Sequence, residues 1–67
     1  MNNLGNNIKA ARLARGYTQQ QVAKAIDLTR PTYALIEAGE RDISLSQAEV
    51  LASMLRVSVD ELRGAVD

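Results

Sequence analysis

A short run of hydrogen-bonding side chains occupies residues 29–32. Arg30 lies between Thr29 and Thr32, so a guanidinium and two hydroxyls fall within one turn of chain. A guanidinium presents its N–H donors in a fixed plane, which suits bidentate recognition of two neighbouring acceptors such as O6 and N7 of guanine. These residue types can therefore recognise a base edge, provided that a rigid element presents them to solvent.

Residues 18–38 are predicted to form that element, as two short helices joined by a tight turn. Thr18 and Gln21 have the T-x-x-Q spacing of a capping box, which predicts a helix from the next residue. Thr29 can cap a second helix, and Gly39 is placed to end it. The apolar residues at the spacing of an inward helical face are Val22, Ala23, Ile26, Tyr33 and Ile36.

The same periodicity also fits an ordinary helical hairpin in a small bundle. Two features favour a pair of helices that presents a recognition surface over a plain hairpin. Small Ala23 lies in the middle of the first helix, where helices that cross at about 90–120° need a small residue. The second helix opens with exposed polar residues, for which a hairpin without a function has no need. We therefore expect a helix-turn-helix whose second helix enters the major groove of DNA.

Four segments resemble the phage repressor and Cro (XRE-like) family of helix-turn-helix proteins in their order and spacing. They are Ile8-Lys-Ala-Ala-Arg12, Gly16-Tyr-Thr-Gln-Gln-Gln-Val-Ala23, Ile36-Glu-Ala-Gly39 and Leu55-Arg-Val-Ser-Val-Asp-Glu-Leu62. The resemblance covers about residues 4–63. It implies an all-α fold, a compact bundle of five short helices like the DNA-binding domain of lambda repressor.

The length of 67 residues predicts a single domain, residues 1–67, with the helix-turn-helix at about 18–38. A first helix is expected at about 4–15, before Gly16. Capping-box spacings then predict a fourth helix after Ser46, paired with Glu49, and a fifth after Ser58, paired with Glu61. The apolar set of the fourth helix is Leu45, Ala48, Leu51, Ala52 and Leu55.

Two positions depart from the pattern of the family, which has glycine in the turn and again before the fifth helix. Here Asp27 and Arg56 occupy them. If Asp27 adopts a left-handed backbone in the turn, it can do so at modest cost, because Asp tolerates this conformation. For Arg56, either a similar strained turn or a rerouted one is expected. Both positions lie away from the residues expected to face DNA.

Composition argues against an enzyme. The chain has no cysteine and no histidine, which excludes disulfides and removes the commonest metal ligands and general base. No carboxylate pair is assigned to a definable pocket, so no catalytic residue, metal or cofactor is expected. The first residues carry neither a charged segment nor a long apolar run, which predicts no signal peptide and no membrane span. A cytoplasmic protein, encoded by a bacterium or phage, is expected.

Net charge is zero, but the charges are segregated along the chain. Residues 1–33 hold five basic residues and one acidic residue, which gives +4; residues 34–67 hold three basic and seven acidic residues, which gives −4. Charges act over a Debye length of about 8 Å at physiological salt, so the local balance matters more than the total. The basic half, which contains most of the motif, is predicted to approach phosphates, with weak non-specific binding.

The resemblance also implies roles for particular residues. Arg12 and Glu37 are expected to form a partly buried structural ion pair, because a guanidinium matches a carboxylate bidentately. Tyr33 is expected in the core with its hydroxyl at the surface. Base contacts are expected from Thr29, Arg30, Pro31, Thr32 and Leu35, and phosphate contacts from Thr18, Gln19 and Arg41. Glu40 and Asp42 weaken the assignment of Arg41, since they repel phosphate and can pair with it.

The last part of the chain, about residues 55–67, is expected to form a homodimer interface. Its apolar candidates are Val57, Val59, Leu62 and Val66. A dimer would bind a roughly palindromic operator on double-stranded DNA as a transcriptional repressor or autoregulator. The alternative is an antitoxin or immunity-type module whose acidic C-terminal half binds a partner protein such as a toxin.

Overall fold

Five helices follow one another in the computed structural model, which describes residues 3–64. They are α1 (Leu4–Arg15), α2 (Gln19–Ala25), α3 (Arg30–Glu37), α4 (Leu45–Leu55) and α5 (Val59–Arg63). Within these residues there is no strand, so the predicted all-α bundle of five helices is confirmed. In the same part of the chain, no helix combines the length and the apolar run that crossing a membrane requires.

Side-chain caps determine where most of the helices begin. Thr18 and Gln21 form the predicted capping box of α2, and Ser58 and Glu61 form that of α5. Thr29 accepts a hydrogen bond from the backbone N–H of Thr32, as expected for the start of α3. Each cap satisfies a backbone N–H that has no partner inside its own helix, so these short segments begin at defined residues.

The predicted start of α4 is wrong by two residues. Ser44, not Ser46, is the cap: its hydroxyl accepts from Gln47 N at 3.1 Å, and its own N–H donates to Gln47 Oε1 at 2.9 Å. Ile43 and Ala48, which flank this box, are both buried in the core. A buried apolar pair on either side of a helix start fixes the direction in which the chain enters the helix, and here it accompanies the box at Ser44.

The core is built from aliphatic side chains around one tyrosine. Leu45 is the exception among the apolar residues predicted to face inward, because the start at Ser44 turns it to solvent, where it is 67% exposed. The buried hydrophobic residues are Leu4, Ile8, Val22, Ala23, Ile26, Tyr33, Ile36, Ile43, Ala48, Leu51, Leu55 and Leu62. Every helix contributes to this cluster, so no helix of the bundle packs separately.

Both departures from the glycine pattern adopt the left-handed backbone. Asp27 and Arg56 each have a φ of 60°. The turn at Asp27 is closed by a hydrogen bond from the amide of Leu28 to the carbonyl of Ala23 at 2.9 Å. The chain therefore keeps the family's turn geometry at both places, and it does so without glycine.

The short helix α5 is held at its C-terminal end by neighbours from two directions. Asn7 of α1 donates its amide to the carbonyl of Leu62 at 3.1 Å. Arg63 donates to the carbonyl of Ile43 at 3.4 Å and lies 3.5 Å from the carboxylate of Asp42. The end of α5 consequently lies beside the segment that leads into α4.

Gly5 permits α1 and α3 to meet at the backbone. A Cβ atom at this position would lie 2.4 Å from the carbonyl oxygen of Glu37 and 2.5 Å from that of Ile36. Real Cβ atoms do not come so close to an oxygen, and these backbone atoms cannot move aside as the end of a flexible side chain can. The end of α3 therefore rests directly on α1.

We expect Gly5→Ala to lower the free energy of unfolding by about 1–3 kcal/mol, because the added methyl group must push the two helices apart. Asn6→Ala is the matched control, since Asn6 is exposed on the same turn of α1 and its replacement should change stability by less than about 0.5 kcal/mol. Urea unfolding of the three proteins measures both values. Equal stability of Gly5→Ala and the natural chain would contradict the close packing of α1 on α3.

Candidate nucleic-acid interface

The first turn of α3 is largely exposed to solvent. Thr29, Arg30 and Pro31 are exposed, and Thr32 is half-buried. Pro31 lies within the first two positions of the helix, where a backbone N–H has no partner inside the helix in any case. The helix still begins at Arg30, so the restraint that proline places on the preceding residue does not shift its start.

The two long faces of α3 differ sharply. Tyr33, Ile36 and Glu37 are buried against the bundle, whereas Leu35 is one of the large apolar side chains exposed to solvent. The structure therefore brings all five residues predicted as base contacts to the accessible side of one rigid helix, Thr32 in part. A leucine at this position can offer apolar contact only, for example to the methyl group of thymine.

Arg12 and Glu37 meet beneath this helix. Arg12 Nε donates to Glu37 Oε2 at 2.7 Å and Nη2 donates to Oε1 at 3.2 Å, which is a bidentate pair. A further N–H of Arg12 donates to the carbonyl of Tyr17 at 2.9 Å. Arg12 is 7% exposed and Glu37 8%, so the pair is largely removed from water and links α1 to the end of α3.

The hydroxyl of Tyr33 does not reach the surface, contrary to the expectation from sequence. Tyr33 is fully buried, and its hydroxyl donates a hydrogen bond to Glu37 Oε2. The reason is the spacing of four residues on one helix, which stacks the tyrosine beneath the carboxylate. Burial, and then the hydrogen bond to Glu37, raises the pKa of the Tyr33 phenol far above its ordinary value.

Hydrogen bonds determine the charge state of the buried cluster formed by Arg12, Tyr33 and Glu37. Burial alone raises the pKa of the Glu37 carboxyl, but the hydrogen bonds from Arg12, Tyr33 and Gln19 and the charge of Arg12 outweigh it and leave the pKa below its ordinary value. The bond to Glu37 raises the pKa of the Arg12 guanidinium, against the opposing effect of burial. Glu37 is consequently an ionised carboxylate at neutral pH.

Gln19 connects this buried cluster to the exposed helix start. Its amide nitrogen donates to Glu37 Oε1 at 3.0 Å, and its amide oxygen accepts from Arg30 Nη1 at 3.0 Å. From the sequence, Gln19 was expected to contact phosphate alone, and neither of these hydrogen bonds was predicted. The sequence feature that could have predicted the contact between Gln19 and Arg30 is their position, since they are the first residues of the two helices of the motif.

The other residues predicted to contact phosphate are less constrained. The hydroxyl of Thr18 accepts from the backbone N–H of Gln21 at 3.1 Å as part of the cap. Arg41 is exposed just beyond α3 and forms no ion pair with residues 3–64, because Asp42 pairs with Arg63 instead. The guanidinium of Arg41 is therefore available at the surface, although exposed Glu40 is its neighbour in sequence.

The residues predicted for a dimer interface are mostly turned inward. Leu62 is 1% exposed and belongs to the core, so its assignment to a dimer surface is wrong: α5 buries it against the bundle of its own chain. Val57 and Val59 are half-buried and pack on the same core. Val66 lies outside the described residues.

These observations define a small helix-turn-helix domain with one polar helix start exposed and its opposite face buried. A family model described as helix-turn-helix matches residues 8–62. Two Bacillus subtilis (strain 168) proteins match over 58 residues, 87% of this chain. They are the SPbeta prophage-derived uncharacterized HTH-type transcriptional regulator YonR, 34% identical, and the uncharacterized HTH-type transcriptional regulator YazB, 38% identical. The matches cover 54% of YonR and 84% of YazB, so the chain spans about half the length of the former.

Two solved structures are similar in fold. A transcriptional regulator from Listeria innocua matches 100% of this chain and 63% of its own, with a TM-score of 0.89 and 24% identity. The hypothetical transcription factor NHTF from Neisseria matches 90% of this chain and 69% of its own, with a TM-score of 0.76 and 28% identity. The chain belongs to the Cro/C1-type (XRE) helix-turn-helix family, whose members are DNA-binding transcriptional regulators.

The buried pair generates a pH-dependent prediction. Replacing Glu37 by Gln should lower the free energy of unfolding at neutral pH by about 3 kcal/mol, since Arg12 then lacks its counter-charge. Because the pKa of Glu37 is lower in the folded chain than in the unfolded one, this contribution is complete above about pH 4.3, the ordinary value for Glu. It is lost as the pH falls through the folded-state pKa.

Urea unfolding of the natural chain and Glu37→Gln between about pH 7 and pH 3 measures this difference. We expect the two stabilities to converge on acidification. A double-mutant cycle with Arg12→Met at neutral pH should show strong coupling between the two positions. A stability difference that stays constant with pH, or coupling near zero, would mean that the two side chains do not act as a buried ion pair.

Proposed function

We propose that this chain is a sequence-specific transcriptional regulator that reads the major groove with the start of α3. The observation that carries the proposal is the exposed guanidinium of Arg30, which Gln19 holds at 3.0 Å on a helix whose other face is buried. A rigid helix that presents one arginine with free N–H donors is suited to the bidentate contact with guanine. The relatives' names, all of which describe transcriptional regulators or factors, support it.

Base contacts are assigned to Arg30, Thr29, Thr32, Pro31 and Leu35, which share the accessible side of α3. Phosphate contacts are assigned to Arg41, Thr18 and Gln19, which flank that helix. Phosphate contacts position a protein on DNA without conveying sequence, whereas contacts to base edges specify it. Substitution of Arg41 or Thr18 should therefore weaken binding to all sequences similarly, whereas substitution of a base-contacting residue should change the base preference. Gln19 also holds Arg30, so its substitution should affect both overall affinity and base preference.

We further propose that two copies bind a roughly palindromic operator and repress transcription by occluding the promoter. A single α3 of eight residues covers one half-site only, and proteins of this geometry place two such helices in successive major grooves, about 34 Å apart. We place the dimer surface at the corner of the bundle that carries Leu45, which is 67% exposed and follows the segment that contacts the end of α5.

Substitution of Arg30 tests the reading role directly. Arg30→Ala should weaken binding to the preferred operator by about 1–3 kcal/mol per half-site and relax the choice at one base pair. Arg41→Ala is the matched control, because it also removes one exposed guanidinium. It should weaken binding to all sequences similarly and lower the slope of log K against log salt by about one.

The measurement is binding to an operator selected from random DNA and to each of its single-base variants, at two salt concentrations. An Arg30→Ala protein that retains the whole profile of base preference would show that α3 does not read the groove through this residue. That result would favour the alternative function, in which the acidic C-terminal half binds a partner protein.

Leu45 provides the test of dimerisation. Leu45→Glu should shift the protein from dimer to monomer at micromolar concentration and weaken operator binding, because a charge replaces an apolar contact at the proposed interface. Leu13→Glu is the control, since Leu13 is 58% exposed on α1 and should leave the dimer intact. Sedimentation equilibrium measures both. A natural chain that is monomeric and binds a palindrome with full affinity would contradict the dimer.

A further inference from the structure

An unbroken chain of hydrogen bonds leads from the buried ion pair to the proposed reading residue. Arg12 donates to Glu37, Gln19 donates to Glu37, and Arg30 donates to Gln19, at distances of 2.7, 3.0 and 3.0 Å. We propose that Glu37 is a positioning residue for base recognition: it fixes which end of the Gln19 amide faces Arg30, and thereby aims the guanidinium. This inference rests on the proposed function, and it extends the site to a residue that DNA does not touch.

The polarity of the amide follows from the chemistry of its two neighbours. An ionised carboxylate only accepts hydrogen bonds and a guanidinium only donates them. The nitrogen of Gln19 must therefore face Glu37, and its oxygen must face Arg30. The reversed amide would set oxygen against the carboxylate and N–H against the guanidinium, so both hydrogen bonds would be lost together.

Glu37 can orient Gln19 because four hydrogen bonds fix the position of its own carboxylate. Oε1 accepts from Arg12 Nη2 and Gln19, and Oε2 accepts from Arg12 Nε and Tyr33. The side chain is buried, and its partners come from three different helices. A group held from so many directions cannot change its rotamer without breaking several bonds, so the orientation of Gln19 is determined by the core.

The consequence at the surface is a pre-organised arginine. Within residues 3–64, Arg30 donates one N–H of Nη1 to Gln19, and its Nε and Nη2 have no protein acceptor. That free edge is the one suited to a bidentate contact with guanine. A free arginine side chain loses rotamer entropy on binding, and holding it beforehand reduces that cost.

Two substitutions at Glu37 and a neighbour separate positioning from stability. Glu37→Gln keeps the shape of the side chain but allows the Gln19 amide to face either way. Tyr33→Phe is the matched control: it removes a different hydrogen bond to the same carboxylate, at Oε2, and leaves the contact with Gln19 at Oε1. Both substitutions should lower stability, so binding is measured at a temperature where unfolding curves show each protein to be folded.

The quantity measured is the base preference at the one operator base pair whose preference Arg30→Ala relaxes. A good bidentate contact discriminates by about 1–3 kcal/mol, which is roughly 5- to 150-fold in affinity. Glu37→Gln should remove most of this discrimination between bases at that operator base pair and leave the preference at the other base pairs unchanged. Tyr33→Phe should preserve the base preference at every position. Gln19→Ala, which interrupts the same chain without altering the ion pair, should reproduce the effect of Glu37→Gln if the latter fails to fold.

A second measurement needs no DNA. Side-chain ¹⁵N relaxation of Arg30 in the free protein should show a more mobile guanidinium in Glu37→Gln and Gln19→Ala than in Tyr33→Phe. Retained base preference and unchanged Arg30 mobility in both test variants would overturn the positioning role alone. A natural chain without any base preference would instead overturn the proposed function, and the inference with it.

Discussion

The carboxylate of Glu37 is the point at which the packing of the bundle and the presentation of its exposed helix meet. Donors from three helices converge on it: Arg12 from α1, Gln19 from α2 and Tyr33 from α3 itself. A buried charge that lacks a partner costs more than a completed pair contributes, so the set is stable only when it is complete. Among the described residues, no buried side-chain nitrogen or oxygen is without a hydrogen-bond partner.

That convergence depends on how closely the helices approach. Gly5 allows the backbone of α1 to touch the last carbonyls of α3, and this contact brings Arg12 within bonding distance of Glu37. In α2, Ala23 is fully buried, and its carbonyl accepts the hydrogen bond from Leu28 that closes the turn before α3. Two residues with almost no side chain therefore set the separations over which the polar groups interact.

The electrostatics of α3 follow from the same arrangement. This helix contains one basic residue, Arg30, and one acidic residue, Glu37, but Arg12 neutralises the latter inside the protein. A positive charge at a helix N-terminus is unfavourable by about 0.3–1 kcal/mol, and the amide oxygen of Gln19 offsets part of this. An acceptor on DNA would offset more. The chain can thus be neutral as a whole and still present a positive helix start.

The sequence by itself determined what depends on neighbours along the chain. Helix starts at Thr18, Thr29 and Ser58 and the left-handed Asp27 follow from local spacing and backbone preference, because a cap or a turn is completed within about four residues. The family was also recognisable, since the order of four short segments is a property of sequence.

Only the tertiary structure decided which residues meet across the bundle. The sequence-based prediction placed the cap of α4 at Ser46, but the structure forms the box at Ser44, between the buried Ile43 and Ala48. Leu45 and Leu62 are equally apolar in sequence, yet one is exposed and the other buried, because burial depends on the neighbouring helix. The contacts of Gln19 with Glu37 and Arg30 likewise span 18 and 11 residues. No local pattern encodes such a distance, since it is set by how closely three helices pack.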